Sequence, residues 1–255
     1  ELLKLVHDEV PDLPRLRFLT SHPRDFSDEA LDVMASRRRI CPYLHIPAQS
    51  GSDRLLRLMN RGYDRQTYLD LIHRARARIA NLSVVGDMIV GFPTETDEDF
   101  SASLSLLDEV QYKGVFVFKY SPRPGTVAAK VHSDDVSTGV KRERNVRMLA
   151  PQQQISLRNH HAMLGSSQSV LVEGVAKHEP KKRVEAGAGG DPSLVQLGRA
   201  NDVSKVVRLT ARTVGDHIVA FDGTPDLIGT IVDVIVERAT PLSLGGRLVD
   251  ESAAR

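Results

Sequence analysis

Four short segments of this sequence combine hydroxyl, amide and charged side chains with glycine or proline. They are residues 20–23, 49–52, 91–95 and 120–126. Glycine and proline fix the backbone, so the neighbouring polar groups can be held in place around a ligand. Each segment alone also suits an ordinary turn, but each one follows an apolar run. We therefore expect the four segments to line one cleft that fits a nucleoside or an amino acid.

The elements that would position these segments are strands alternating with helices. Apolar runs at 16–20, 43–47, 84–90 and 115–120 predict strands, and amphipathic patterns between them predict helices at 27–36, 52–59, 64–80 and 96–110. Asp64 is expected to cap the third helix, and Thr96 with Asp99 to form a capping box. This alternation predicts parallel strands whose carboxyl ends meet at one edge. Four strands cannot close an eight-stranded barrel, so we expect part of a (β/α) barrel or an open α/β sheet.

The pattern changes after Pro122. Residues 137–163 predict a basic helix that Pro151 should kink or divide, and Gly165 is a suitable stop. β-Rich runs then follow between turn signals, at residues 168–175, 205–210, 217–221, 228–237 and 246–250. They predict a small antiparallel β-barrel. We place the domain boundary near residue 163, which gives domains 1–163 and 164–250.

Cysteine content and charge limit the chemistry. The sequence has one cysteine, Cys41, which excludes an intrachain disulfide and an iron–sulfur cluster held by this chain alone. We expect Cys41 to be a buried apolar residue.

The net charge of +1 hides a basic stretch at 141–183, which fits either phosphate binding or a solvated helix face. No apolar run approaches the ~20 residues that span a bilayer.

Two charged residues in the first half have uncertain roles. Asp87 lies inside an apolar run, where a carboxylate must be paired or functional unless it faces solvent at the strand end. Arg61 follows the helix at 52–59 and either binds a carboxylate or is an exposed helix-end residue. The sequence shows no Ser-His-Asp order, metal-ligand cluster or phosphate loop.

Several segments together resemble motifs of the radical S-adenosylmethionine (SAM) methylthiotransferases. These are residues 20–23 (TSHP), 44–52 (LHIPAQSGS), 87–96 (DMIVGFPTET) and 118–126 (FKYSPRPGT). Residues 197–199, 219–221, 223–224 and 227–229 resemble the TRAM domain, an OB-like RNA-binding β-barrel of that family. The resemblance covers residues 14–250. It implies a partial (β/α) barrel of the radical SAM type followed by a TRAM barrel.

The resemblance also implies site residues. A SAM-binding set would comprise Ser21, Gln49, Ser50, Arg61, Asp87, Gly91, Glu95 and Arg123, with Arg61 and Arg123 contacting a carboxylate or phosphate. tRNA phosphates would contact Lys177, Lys181, Lys182 and Arg183, although the last three also suit a mobile charged loop. No catalytic side chain and no metal ligand is assigned to this chain.

The similarity is greatest to the MiaB-type branch of the family. That branch adds a methylthio group to C2 of N6-isopentenyladenosine (N6-dimethylallyladenosine) beside the tRNA anticodon. It uses SAM and two [4Fe–4S] clusters, one of which is held by a CxxxCxxC motif that this sequence lacks. Because the first residue is Glu1, we expect a C-terminal fragment that is inactive alone. We also expect a cytoplasmic monomer that binds tRNA and SAM and no membrane.

Three departures from the family pattern stand out. Thr94 occupies a position where glycine is common, Pro151 interrupts a helix, and the glycine-rich 185–193 loop resembles an insertion. Alternative interpretations are a stand-alone RNA-binding module, a methylthiotransferase of the threonylcarbamoyladenosine branch, and an unrelated barrel enzyme with an appended β-domain.

Overall fold

The computed structural model describes residues 1–19, 22–176 and 206–249. The chain folds into two compact units. The first comprises Glu1–Ala162, Val214–Asp216 and Thr240–Leu242. The second comprises the described parts of Met163–Thr213, His217–Ala239 and Ser243–Arg255.

The first unit is built from helices around a parallel sheet. Its strands are β1 (Tyr43–His45), β2 (Ser83–Val90) and β3 (Gly114–Lys119). Its helices are α1 (Leu2–Glu9), α2 (Asp28–Ser36), α3 (Asp53–Leu58), α4 (Arg65–Arg78), α5 (Asp97–Val110), α6 (Val127–Val131) and α7 (Thr138–His161). A 3₁₀ turn at Pro23–Asp25 precedes α2.

The sheet has the order β1-β2-β3, with both pairs parallel. Helices α3 and α4 connect β1 to β2, and α5 connects β2 to β3, as parallel crossovers require. Two predicted caps are confirmed. Asp64 accepts a hydrogen bond from Thr67 N at 2.8 Å, and Thr96 with Asp99 forms a reciprocal capping box. The predicted α/β class of this part is therefore confirmed.

Two sequence predictions for this unit are wrong. Residues 16–19 form no strand, and Leu16 makes only an isolated parallel bridge to Ile40. The ladder stops because Tyr43 N, the next donor after Cys41 N in this register, donates instead to Cys41 O at 2.8 Å. Helix α7 is not divided at Pro151. Met148 and Ile155, on either side of the proline, are both buried in the core, so both halves of the helix pack against it.

A hydrophobic cluster supports the cleft-forming edge of the sheet. It contains Leu44 and Met88 from the strands, Tyr68 from α4, Phe100 from α5 and Met148 from α7. Because strands and helices share this core, the loops that leave the strand ends start from fixed positions. Cys41 is buried, as predicted.

The second unit is a closed five-stranded barrel. Its strands are β4 (Ser167–Val175), β5 (Val207–Thr213), β6 (Ile218–Gly223), β7 (Ile231–Ala239) and β8 (Leu244–Leu248). They follow the order β4-β5-β6-β8-β7, and β7 pairs with β4 to close the barrel. All pairs are antiparallel except β6–β8. This arrangement confirms the predicted small β-barrel and matches the five-stranded OB architecture.

The barrel core follows the two-residue period of its strands. In β5 the buried residues are Leu209, Ala211 and Thr213, and in β4 they are Val170 and Val172. No helix within the described ranges is both long and apolar enough to cross a membrane.

Candidate functional site

A cleft of about 720 Å³ opens at the carboxyl ends of the parallel strands. Its lining residues come from the segments that follow β1, α3 and β3, from β2, and from α6. They are Gln49, Leu58, Met59, Asn60, Arg61, Asp87, Ile89, Phe92, Phe118, Lys119, Tyr120, Ser121, Arg123, Thr126, Val127, Ala128 and His132. Four of the eight predicted cofactor residues, Gln49, Arg61, Asp87 and Arg123, lie together here.

Gln49 is fixed by the backbone of the neighbouring strand. Its N–H donates to Asp87 O at 2.8 Å, and its carbonyl accepts from Ile89 N at 2.9 Å. These two bonds hold Gln49 at φ 68°, a left-handed conformation that costs a non-glycine residue about 1–2 kcal/mol. The side chain therefore starts from a constrained backbone at the cleft wall.

Asp87 is paired with a histidine of the adjacent strand. His45 Nε2 lies 2.9 Å from Asp87 Oδ1, and both side chains are mostly buried. This pair confirms the expectation that a carboxylate in an apolar strand has a partner. Asp87 still lines the cleft, so its carboxylate borders the space that a ligand would fill.

Two polar atoms of the cleft wall are buried without a hydrogen-bond partner. They are Arg61 Nε and Tyr120 Oη. Arg61 is placed by its N–H bond to Leu56 O at 3.0 Å, and Tyr120 by its N–H bond to Val90 O at 2.9 Å. A buried polar group without a partner costs about 1–3 kcal/mol. Neither atom is solvent-accessible, so a ligand in the cleft could pair with them only if the two side chains turned toward it.

The cleft wall carries more positive than negative charge. Arg61, Lys119 and Arg123 line it, and no carboxylate in the described ranges forms an ion pair with any of them. Asp87 supplies the one carboxylate among the described residues that line the wall. The wall therefore favours ligands with anionic groups.

Ser50 and Gly91 support the cleft from behind rather than lining it. The Ser50 hydroxyl is buried 3.3 Å from Ser103 Oγ and accepts a hydrogen bond from Ser52 N at 3.1 Å. Gly91 has φ 70°, and a side chain at this position would overlap the Lys141 stem of α7. Its N–H donates to Glu95 Oε2 at 2.6 Å. Both residues fix the geometry of loops that reach the cleft.

Glu95 also lies behind the cleft wall, in a buried ion pair. Its Oε2 is 2.7 Å from Nη1 of Arg144, whose Nη2 is 2.7 Å from Oδ1 of Asp97. Burial raises the pKa of the Glu95 carboxyl, while the hydrogen bonds from Gly91 and Arg144 oppose that rise. The pair fastens the loop at 91–95 to α7.

The remaining predicted residues lie outside the described ranges: Ser21, Lys177, Lys181, Lys182 and Arg183. Lys119, Tyr120 and His132 also line the cleft and were not among the predicted site residues. Lys119 ends the apolar strand β3 and Tyr120 follows it, which is the signal that could have identified them, whereas His132 lies after α6 and carries no such signal.

The donor set does not fit an iron–sulfur cluster. A [4Fe–4S] cluster of this kind needs several thiolates, and the sequence contains one cysteine. Across the part of the chain that the structure describes, no three His, Cys, Asp or Glu side chains come together as a metal site.

Comparison with known proteins agrees with this arrangement. Residues 1–107 match the family model described as the Radical SAM superfamily. The tRNA-2-methylthio-N(6)-dimethylallyladenosine synthase of Porphyromonas gingivalis is 38% identical over 250 residues, which are 98% of this chain and 48% of that protein. The synthase of the same name from Geobacter sulfurreducens is 41% identical over 248 residues, 97% of this chain and 49% of that protein.

Among solved structures, Escherichia coli coproporphyrinogen III oxidase, a radical SAM enzyme, matches with a TM-score of 0.45 and 25% identity. The match covers 52% of this chain and 31% of that one. The chain spans about half the length of the curated relatives it matches. Residues 1–107 are thus similar to the Radical SAM superfamily, and nearly the whole chain is similar to about half of the tRNA-2-methylthio-N(6)-dimethylallyladenosine synthases.

Proposed function

We propose that this chain is the SAM- and tRNA-binding part of a methylthiotransferase that modifies C2 of N6-dimethylallyladenosine beside the tRNA anticodon. The observation that carries the proposal is the cleft at the strand ends, whose wall carries Arg61, Lys119 and Arg123 beside Asp87. The homologues' shared name supplies the substrate. The proposed domains are 1–163 and 164–250.

The cleft residues suit the functional groups of SAM. Arg61 would bind the carboxylate through charge-assisted hydrogen bonds. Gln49 and the Asp87 carboxylate would accept hydrogen bonds from the ammonium or ribose hydroxyl groups, and the hydroxyl of Ser21 would join this set. Ser50, Gly91 and Glu95 would act indirectly, because they position the loops. Bound SAM would supply the methyl group and the radical chemistry, which the side chains of this chain do not perform.

Catalysis would also need ligands that this chain does not contain. The single cysteine cannot hold a [4Fe–4S] cluster, so we assign no step through a cluster to these residues. The relatives are about twice as long as this chain. We therefore propose that the 255 residues bind SAM and RNA but complete no turnover alone.

The barrel would bind the RNA. Five-stranded OB-type barrels commonly bind nucleic acids, and we propose that this one is a TRAM domain. Its phosphate contacts would come from Lys177, Lys181, Lys182 and Arg183. The barrel also favours a second candidate function, an RNA-binding module in which the α/β unit is only a scaffold. We further propose that the protein is a cytoplasmic monomer.

SAM titration of the 255-residue chain by calorimetry tests the first candidate. Arg61→Gln should weaken SAM binding about 12- to 150-fold, since a hydrogen bond to a charged group contributes about 1.5–3 kcal/mol. The matched control is Arg57→Gln, an exposed arginine of α3 that does not line the cleft. Equal affinities for the two variants would refute the carboxylate assignment, and no SAM binding by the wild type would favour the RNA-binding module.

Turnover is tested with the complete gene product reconstituted with iron and sulfide. It should form the 2-methylthio product on RNA that carries N6-dimethylallyladenosine, while the 255-residue chain should form none. Product on threonylcarbamoyladenosine RNA instead would assign the chain to that other branch. Product from the 255 residues alone would contradict the proposed incompetence.

A further inference from the structure

Strand β3 presents two aromatic rings to solvent. Phe116 is 59% exposed and Phe118 is 52% exposed, and their two-residue spacing places them on the same face of the strand. In contrast, Tyr68, Phe100 and Tyr112 of the same unit are almost completely buried. Phe118 also lines the cleft. Its exposed ring therefore offers a flat apolar surface beside the proposed SAM site.

Two cations follow this ring in the same cleft wall. Lys119 is the last residue of β3, and Arg123 lies in the turn that follows. Both are exposed and have no ion-pair partner in the part of the chain that the structure describes. SAM has one carboxylate, which Arg61 of the same cleft wall can bind. Lys119 and Arg123 thus provide positive charge beyond what SAM requires.

We propose that Phe118, Lys119 and Arg123 form an RNA-contact surface on the first unit, in addition to the barrel. The Phe118 ring stacks on an unpaired base of the substrate loop, and the two cations contact the adjoining phosphates. Single-stranded RNA is bound in this way, by aromatic stacking together with basic groups along the backbone. The inference rests on the proposed function and names residues that would bring the target nucleotide to the SAM cleft.

The arrangement of a stacking ring beside two cations suits an enzyme that reacts with a base. The reacting base must leave its stack and reach the bound cofactor. A stacking ring and phosphate contacts at the cleft rim would hold the nucleotide at that point. His45, the partner of Asp87, contacts the Phe116 ring edge to face with centroids 6.3 Å apart, so it helps to fix the aromatic face.

The charge contribution is tested by the salt dependence of RNA binding. The probe is a synthetic anticodon stem-loop RNA carrying N6-dimethylallyladenosine, titrated with the 255-residue chain at several salt concentrations. In the double variant Lys119→Gln/Arg123→Gln, the slope of log K against log salt should be smaller in magnitude by about 1.4, because each single-strand phosphate contact contributes about 0.7. The control Lys4→Gln/Arg38→Gln removes the same charge from exposed positions outside both the cleft and the basic stretch at 141–183. It should leave the slope within error.

Stacking is tested with Phe118→Leu, which keeps an apolar side chain and removes the ring. RNA affinity should fall about 5- to 150-fold, the range that loss of one base–aromatic stack gives. Circular dichroism checks that each variant is folded. Wild-type RNA affinity in Phe118→Leu would overturn the stacking role and favour a protein segment as the cover of this face.

Other outcomes separate this inference from the proposed function. If the wild type binds the RNA but the double variant and its control have equal slopes, the RNA-contact surface is refuted and the proposed function stands. If the double variant loses SAM affinity, the two cations serve SAM and the inference is also overturned. If the wild type binds no RNA, both fail.

Discussion

Replacing Arg144 by methionine tests whether a buried ion pair holds the loop behind the SAM cleft. The Glu95 side chain is 0% exposed and the Arg144 side chain 6% exposed. Methionine keeps most of the apolar stem and removes the guanidinium. Glu95 would retain one hydrogen bond, from Gly91 N at 2.6 Å. Removing one partner of a buried pair costs about 3–5 kcal/mol, so we expect that loss in the free energy of unfolding at pH 7.

The Asp97 contact of Arg144 adds little to this loss. The Asp97 side chain is 84% exposed, and an ion pair with a solvated carboxylate contributes about 0–1 kcal/mol. The expected cost therefore comes from the uncompensated charge of Glu95. This assignment can be checked through pH, because protonation neutralises that charge.

The loss of stability should grow with pH. Burial raises the pKa of Glu95 above its usual 4.5, and the Arg144 hydrogen bond opposes the rise. Removing Arg144 therefore raises the pKa further. Below the unfolded pKa the carboxyl is protonated in both states, and the variant loses little. Between the unfolded pKa of about 4.5 and its own folded pKa, each protein loses about 1.4 kcal/mol of stability per pH unit, because the unfolded state releases its proton first. The folded pKa is higher in the variant, so the difference in stability between the two proteins grows between their two folded pKa values.

Urea unfolding followed by tyrosine circular dichroism measures this effect in the first unit alone. The sequence has no tryptophan, and all five tyrosines lie between residues 43 and 120. The matched control is Arg147→Met on the same helix, because Arg147 also stacks on Phe100 but pairs with Glu143 in solvent. It should cost less than about 1 kcal/mol. Equal losses for the two variants at pH 7, or a pH-independent loss for Arg144→Met, would refute the reasoning.

Two further predictions concern hydrogen bonds and barrel packing. Tyr112 donates to Tyr68 Oη at 2.8 Å, which donates to Ile46 O at 2.9 Å, so Tyr68→Phe leaves two buried groups unpaired and should cost about 1–3 kcal/mol. Tyr112→Phe should cost less in the same urea titration, and the reverse order would contradict this chain of donors. Gly246→Ala would overlap the carbonyl oxygen of Ile235, so far-UV circular dichroism should show barrel unfolding at a lower temperature while the tyrosine signal is unchanged.

Local signals in the sequence predicted the fold well. The capping box of Thr96 and Asp99 depends on residues three positions apart, and the sequence alone is enough to predict it. The strand expected at 16–20 does not form at residues 16–19, because pairing depends on a distant segment whose next donor, Tyr43 N, bonds Cys41 O instead. Pro151 was expected to kink or divide its helix, and the helix is not divided: the segments on both sides pack on the core through Met148 and Ile155.

The cleft was predictable to the extent that it follows strand geometry. Gln49, Asp87 and Arg123 were identified because they lie in or directly after apolar strands, and parallel strands bring those ends together. Tyr120 was not singled out, since its importance lies in a hydroxyl that finds no partner within the fold. No local sequence pattern indicates that a hydroxyl will lack a hydrogen-bond partner from a distant part of the chain.

Asp87 and Glu95 show that the sequence alone does not predict which acidic side chain remains available to a ligand. Both belong to one segment and both were assigned to the cofactor, but Glu95 is neutralised by Arg144, which lies 49 residues away in the sequence. Asp87 pairs with a strand neighbour and still borders the cleft. The difference depends on where α7 packs, which no feature of the segment encodes. A polar residue is therefore available to a ligand only after the tertiary structure has taken the partners that it needs. By that criterion Arg61, which lines the cleft and forms no ion pair within the described ranges, is a stronger candidate for ligand contact than Glu95.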